Sequence, residues 1–491
     1  MGARQDFLWR YLSNNTLDIE RAKLFGDSWK RHFWKQYGAG QHMTPERFRY
    51  LMCPIRHFKE TVQQVESYQN FIVAADTQGN VGVFLINEAD LENDDETMQV
   101  EGLSFPGGVA YIKHFVQQAQ QRLLVITNTG AIHFYSIEQT AAASFTFAHL
   151  STQQLPLLNP SYLYVCPVND SQLFISNFPL DGNDFMLDQT VTIFDFVQNR
   201  VVYSEALDVQ DEPSSFALEQ TLNSLGMQIN PGMRFRRRPG YLQPPPMFAI
   251  PGNGITVPQF KSDKLKQNLA LFDGKHIVVS LFNTSLAAID TKMSELEVFI
   301  KKSRTKYISS EEDNQPVCLD LRLHKGVVFA YYMHFMKVHD LANGMACTQV
   351  LQLGAGVSPI SFIRVDSSKD ELSIIRRFNN KLQILSININ VKDKFLVEPI
   401  LTSETDESNI INDIDVCSKH ILATATAEGG VKFRRFKELS KPYYINAGSR
   451  TVKTYKSHPF KEGVSLIKAS TSKIIVVLGN LIRVYSFDFA K

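Results

Sequence analysis

Residues 474–487 read Ile474-IVVLGNLIRVYS-Phe487: five apolar residues, a Gly-Asn pair, then a second run with apolar residues at every second position, ending on an aromatic. Side chains of a strand alternate between its two faces, so period-two apolar patterning marks a strand, and two strands joined by a short Gly-Asn link read as a hairpin. The phrase is not unique to this stretch. A Gly, Asn or polar turn followed by the same alternation recurs as Gly79-NVGVFLI, Gly130-AIHFYSI, Gln189-TVTIFDF, Asn283-TSLAAID, His334-FMKVHDL, Asn379-NKLQILSI and Gly429-GVKFRRF, and again here as Gly479-NLIRVYSF. Apolar runs precede these copies: Phe71-IVAAD, Leu123-LVITN, Leu173-FISN, His276-IVVSLF, Val327-VFAYYM, Glu371-LSIIRRF and Ile421-LATAT.

The copies are spaced by about 50 residues, with one interval of 94 between Gln189 and Asn283. Hairpins at a period of roughly 40 to 50 residues are the signature of a β-propeller. A lone hairpin cannot bury both faces, whereas blades packed around an axis bury the inner strands on both. The expected fold is mainly β, a propeller of seven or eight blades over 49–491, preceded by a short α-helical module over 1–48. The fourth copy is the weakest, which leaves the blade number at seven or eight. The last hairpin ends at Phe487, so its outermost strand must come from elsewhere, and the segment from Tyr50 to Thr61 is the expected donor that closes the ring.

Composition is compatible with this. The 491 residues carry a formal net charge of +1, with 44% hydrophobic and 11% aromatic residues, which excludes a disordered or collagen-like chain and gives no global pull toward nucleic acid or an anionic membrane. No apolar run approaches the roughly 20 residues that span a bilayer, and the first residues lack the basic-then-apolar order of a secretory signal. Five dispersed cysteines, Cys53, Cys166, Cys318, Cys347 and Cys417, form no C-x-x-C pair. The expected setting is a reducing cytoplasm or nucleus.

The third strands resemble those of WD repeats, which end in an apolar or aromatic residue followed by Asp; here the pairs are Phe194-Asp195, Ile289-Asp290, His339-Asp340 and Phe487-Asp488. No Gly-His opens a repeat and Trp-Asp itself is absent.

The long interval contains a Pro- and Gly-rich insertion, about 207–264, with Arg234, Arg236, Arg237 and Arg238 clustered beside Phe235 and Tyr241. Proline removes donors and fixes φ, so this is loop and not inner strand. Arg236, Arg237 and Arg238 are candidates to grip a phosphorylated or acidic segment of a protein substrate, with RNA contact as the less favoured use and a solvated loop with a chance basic run as the reading without function. Arg376 and Arg434 lie at or beside hairpins, and if both reach one rim they extend that anion-binding surface.

The N-terminal segment is chemically different. Phe7, Leu8, Tyr11 and Leu12, then Ile19, Ala22, Phe25, Trp29 and Phe33, recur at helical spacing, and all three tryptophans fall here. Thr16 or Asp18 would cap the second helix. The run Asp18-IERAKLFGDS-Trp29-Lys-Arg, after Tyr11-Leu12, resembles an F-box, the helical module that docks on an Skp-type adaptor of cullin-RING ubiquitin ligases. The usual Leu-Pro opening is missing and Gly26 stands near the common Cys. The resemblance implies that Leu12, Ile19, Leu24 and Trp29 belong to the adaptor interface or the core of the module. It implies a substrate-recognition subunit whose partners are the adaptor, a cullin and a target protein. A dimerising helix pair and a helical cap on the propeller are the other uses of such a segment. A scaffold subunit of a stable assembly is the alternative for the whole chain.

Searching for chemistry yields no catalytic, cofactor or metal residues. G-x-S-x-G, H-E-x-x-H and G-x-x-x-x-G-K are absent. His334 and His339 lack the further ligands a metal needs and read as structural. The acidic run from Glu88 to Glu96 reads as a solvated loop. The chain is expected to bind and not to catalyse.

Overall fold

The computed structural model describes residues 48–51, 58–85, 101–207, 270–290, 306–308, 318–453 and 463–487, with brief breaks inside several of these ranges. Apart from one short 3-10 turn, Leu341–Asn343, the elements of the described residues are strands. The helical module expected over 1–48 lies outside them, save Phe48, which is strand. The insertion expected at 207–264 falls likewise outside, apart from Leu207, which ends a strand.

Among the described residues the strands form eight antiparallel sheets, the larger of the two numbers the repeat allowed. Blade 1 runs Val62–Tyr68, Phe71–Asp76, Asn80–Leu85, Glu101–Ser104. Blade 2 runs Val109–Gln117, Gln120–Thr127, Ala131–Ala141, Ser144–Gln154. Blade 3 has Ser161–Pro167, Gln172–Asp181, Gln189–Asp195 and Arg200–Leu207. Blade 4, built on the weakest copy, has Ala270–Phe272, His276–Ser280, Leu286–Asp290 and Lys306–Ile308. Blade 5 follows with Asp320–His324, Val327–Tyr331, Phe335–Asp340 and Ala346–Gln352. Blade 6 has Val357–Asp366, Glu371–Phe378 and Lys381–Asn390, against which both Phe395–Leu396 and Ile400–Asp406 pair. Blade 7 runs Ile411–Ser418, Ile421–Thr426, Val431–Arg435, Glu438–Ile445, with Val452–Lys453 paired outermost. Blade 8 has Leu466–Ala469, Lys473–Leu478 and Leu481–Phe487. Each of the eight sequence phrases is a second-to-third-strand hairpin.

The outermost strand of blade 8 is Phe48–Leu51, in antiparallel register with Phe48 opposite Phe487 and Leu51 opposite Val484. The closing strand thus starts two residues before the expected segment and ends early within it. The end of that segment is used differently. Asn480 Nδ2 donates to Phe58 O at 3.1 Å and Val62 N to Gly479 O at 2.8 Å, so the link into blade 1 is pinned to the hairpin turn of blade 8.

The apolar core lies between sheets, and the opening stretch shows why. Ile475, Val477, Ile482 and Val484 pack with Val65, Ile72 and Phe84 of blade 1. Their neighbours Ile474, Val476, Leu478 and Tyr485 pack with Ala423, Val431 and Phe433 of blade 7. One strand serves two cores because alternate side chains leave opposite faces, which is why Ile474–Leu478 is apolar throughout. At about 25 cal/mol per Å² of buried apolar surface, each such residue contributes on the order of 2 kcal/mol. First strands of blades 1 to 3, and of blades 4 to 8, lie side by side, and that of blade 8 lies against that of blade 1, so these strands wall the axis.

Turns are set by local chemistry. Asp195 Oδ1 accepts from Val197 N and Gln198 N at 3.0 and 2.8 Å, and Asp340 Oδ1 accepts from Ala342 N at 3.0 Å, so the Asp that ends these third strands closes the turn into the outer strand.

Candidate functional site

The inner edge of each first strand faces the axis and carries main-chain groups that need partners. Side chains of the preceding blade supply them. The Gln64 amide donates to Ala110 O at 2.5 Å and accepts from Ile112 N at 3.0 Å, clamping blade 1 to blade 2. Asp413 accepts from Ile467 N at 2.8 Å and Asp415 from Ala469 N at 2.6 Å, doing the same between blades 7 and 8.

Other first-strand side chains carry charge. Glu66 of blade 1 stands between Lys468 of blade 8, at 3.3 Å, and Lys113 of blade 2, at 3.5 Å. Burial of the Glu66 carboxylate opposes its ionisation, but Lys113 and Lys468 outweigh this and hold it below the usual carboxylate range. The two lysines are about a third exposed, at 29% and 33%, and Glu66 14%. Beside Lys113, burial drives the His114 imidazole down to about 4, so it is neutral at pH 7. On blade 5 Arg322 pairs with Asp320 at 3.0 Å. This wall offers fixed charges of both signs to a ligand at the axis, with lysine ammonium groups the more accessible.

The sequence-predicted residues fall in two groups. Leu12, Ile19, Leu24, Trp29, Arg236, Arg237 and Arg238 lie outside the described residues. Arg376 and Arg434 are described and buried, at 5% and 2% exposure, and neither is displayed on an open rim. Arg376 Nη1 donates to Leu353 O at 2.6 Å, tying blade 6 to blade 5. Arg434 donates to Glu407 at 2.6 Å and to Thr424 Oγ1 at 3.1 Å, and Lys432 reaches the same Glu407 at 2.8 Å. Alternation turns these two arginines onto faces between blades. His339 is also buried. Glu66, Lys113 and Lys468 carried no sequence signal beyond a charge inside an apolar alternation, and 402 positions separate the outer pair members Lys468 and Glu66. No helix among the described residues is long and apolar enough to cross a membrane.

No protein-family model and no curated protein matches the sequence. Solved structures do match in fold. Sqt1 from Chaetomium thermophilum superposes with a TM-score of 0.52 at 10% identity, covering 89% of this chain and 100% of that one. A second Sqt1 structure from the same organism gives 0.50, also at 10% identity and 89% coverage, with 98% of that chain covered. The WD40 domain of SCAP from fission yeast gives 0.46 at 11% identity, covering 90% of this chain and 98% of that one. The fold is a β-propeller.

Proposed function

We propose that this chain is a protein-binding propeller acting as the substrate-recognition subunit of a Skp-cullin-F-box type ubiquitin ligase. The observation that carries the reading is one of continuity: the F-box-like segment runs straight into Phe48–Leu51, the strand hydrogen-bonded into the last blade. A module attached there is tethered to the ring at its closure. Leu12, Ile19, Leu24 and Trp29 serve the adaptor interface. With Arg376 and Arg434 committed to the interior, contact with an acidic or phosphorylated target falls to Arg236, Arg237 and Arg238 and to the lysines of the axial wall.

The test is affinity capture of the full chain and of a full-length variant carrying Leu12→Ala, Ile19→Ala, Leu24→Ala and Trp29→Ala, with bound proteins identified by mass spectrometry. An adaptor and a cullin captured by the first and lost from the second, at equal melting temperature, support the reading. Capture of one stable set by both, without a cullin, replaces it with a scaffold subunit of a multiprotein assembly.

A further inference from the structure

Edge strands expose unpaired N–H and C=O groups, and proteins usually blunt them by shortness, charge, proline or cover. Among the described residues, seven of the eight outer strands follow this rule. Glu101–Ser104 and Phe48–Leu51 are four residues long, and Val452–Lys453, which pairs outside Glu438–Ile445, is two; Arg200–Leu207, Lys306–Ile308 and Ile400–Asp406 carry charge. Ala346–Gln352 is uncharged but covered, since Gln349 exchanges hydrogen bonds with the main chain of Leu396 at 2.9 and 2.6 Å and Thr348 donates to Lys394 O at 3.3 Å.

The outer strand of blade 2, Ser144–Gln154, breaks the rule. It has eleven residues, SFTFAHLSTQQ, with neither a charge nor a proline. Thr146, Ala148, His149 and Leu150 are exposed, Leu150 to 49%. Pairing with the third strand is regular from Phe145 to His149 and then skips Leu150, so a bulge ends a five-residue regular edge. The face of this edge turned toward blade 1 is aromatic. His149 packs on Tyr135 at 5.4 Å between centroids, Phe147 on Tyr135 at 6.4 Å, and Phe105 of blade 1 on His133 at 5.1 Å. The outer strand of blade 1 is only four residues long and leaves His133, Tyr135 and Phe147 part-exposed. Burial, and then the neighbouring His149, hold the His133 imidazole below its usual value, which disfavours a positive charge on it.

We propose that Phe145–His149 is a strand-addition site for an extended peptide of a partner protein, uncharged over about five residues and with an aromatic or aliphatic side chain directed at Phe147 and His149. The main chain of the edge supplies affinity through a new antiparallel or parallel ladder, and the aromatic face supplies selectivity through cross-strand pairs. An uncharged partner follows from the strand itself, because a carboxylate or ammonium placed on this face would lose hydration without gaining a counter-charge. The site is independent of the N-terminal segment and so of the ligase reading.

The probe is a phage-displayed library of random linear heptapeptides selected on the full chain, followed by synthetic copies of the enriched sequences. Expected are uncharged peptides with apolar residues at alternate positions, whose affinity falls at least tenfold on Ala148→Lys or Leu150→Lys at unchanged melting temperature. Alternate N-methylation of the peptide, which removes main-chain donors but keeps the side chains, should abolish binding. No enriched peptide, or binding that survives either lysine or N-methylation, overturns the proposal. A dimer in sedimentation that Leu150→Lys dissociates also overturns it, by assigning the edge to a second copy of the chain.

Discussion

Arg434 Nη2 lies 2.6 Å from Glu407 Oε2, and both side chains are almost fully buried between blades 6 and 7. Lys432 approaches the other carboxylate oxygen at 2.8 Å, so one anion holds two cations in a dry joint. Removing the anion leaves both cations uncompensated, and loss of one partner of a buried pair costs about 3–5 kcal/mol. Glu407→Gln should therefore lower the denaturant midpoint sharply. The double variant Glu407→Leu, Arg434→Met should recover part of that loss, because it removes the buried charge on both sides. Equal stability of Glu407→Gln and the native chain would show that the joint is hydrated.

The axial wall predicts a pH dependence with a definite sign. His114 has a folded value of about 4 against 6.5 for the free imidazole, so the unfolded chain binds the extra proton between these limits. Its contribution is fully present above pH 6.5 and is lost as pH falls toward 4, amounting to roughly 3 kcal/mol. Glu66, held below the ordinary 4.5 by Lys113 and Lys468, contributes above that value and loses its contribution as pH falls further. Urea titrations at pH 7.5 and 5 should show a stability loss that His114→Gln reduces, whereas Glu66→Gln should alter the slope only below about pH 4.5.

Gly79 adopts φ +88°, and a Cβ there would stand 2.2 Å from Phe105 O, a main-chain atom that cannot rotate away. Gly79→Ala should destabilise the chain by more than about 1 kcal/mol, from left-handed strain and the clash together. Gly326 has a comparable φ of +78° with nothing near its Cβ position. Gly326→Ala should cost less, and the difference between the two melting temperatures measures the steric part.

Closure of the ring depends on main-chain pairing of Arg49 and Tyr50 with Ser486 and Tyr485. Successive main-chain N–H groups point to opposite sides of a strand, so one of Arg49→Pro and Tyr50→Pro must remove a ladder bond while the other faces away from blade 8. One variant should lose about 3 kcal/mol and the other much less, read as melting temperature. Equal and negligible effects would mean that the ring is held without this strand.

The inter-blade clamp at Gln64 offers a local comparison. Its amide satisfies both Ala110 O and Ile112 N, so Gln64→Leu leaves two buried main-chain groups unpaired, each costing about 1–3 kcal/mol. Amide hydrogen exchange at Ile112 should accelerate in that variant more than exchange at Leu124, which sits in the interior of the same blade.

The eight hairpins were legible in the linear sequence because both of their signals are local: alternation of apolar residues over a few positions, and a turn residue between them. Their even spacing implied a closed ring, and the short last blade implied a donor strand from the start of the chain. Blade number was settled only when the weak copy around Asn283 paired into a sheet. Which face a charged residue occupies is a different kind of question. A place for Arg376 and Arg434 on one rim stayed conditional in the sequence, because a polar residue in a hairpin does not reveal whether another blade covers it; both are buried. Lys468 and Glu66 become partners only when the last first strand closes against the first, and Ser144–Gln154 is, among the described residues, an open edge beside an outer strand of only four residues. Local periodicity determined the elements and their order; tertiary closure decided which of their polar groups are buried, paired or left facing solvent, since those depend on neighbours far apart in the chain.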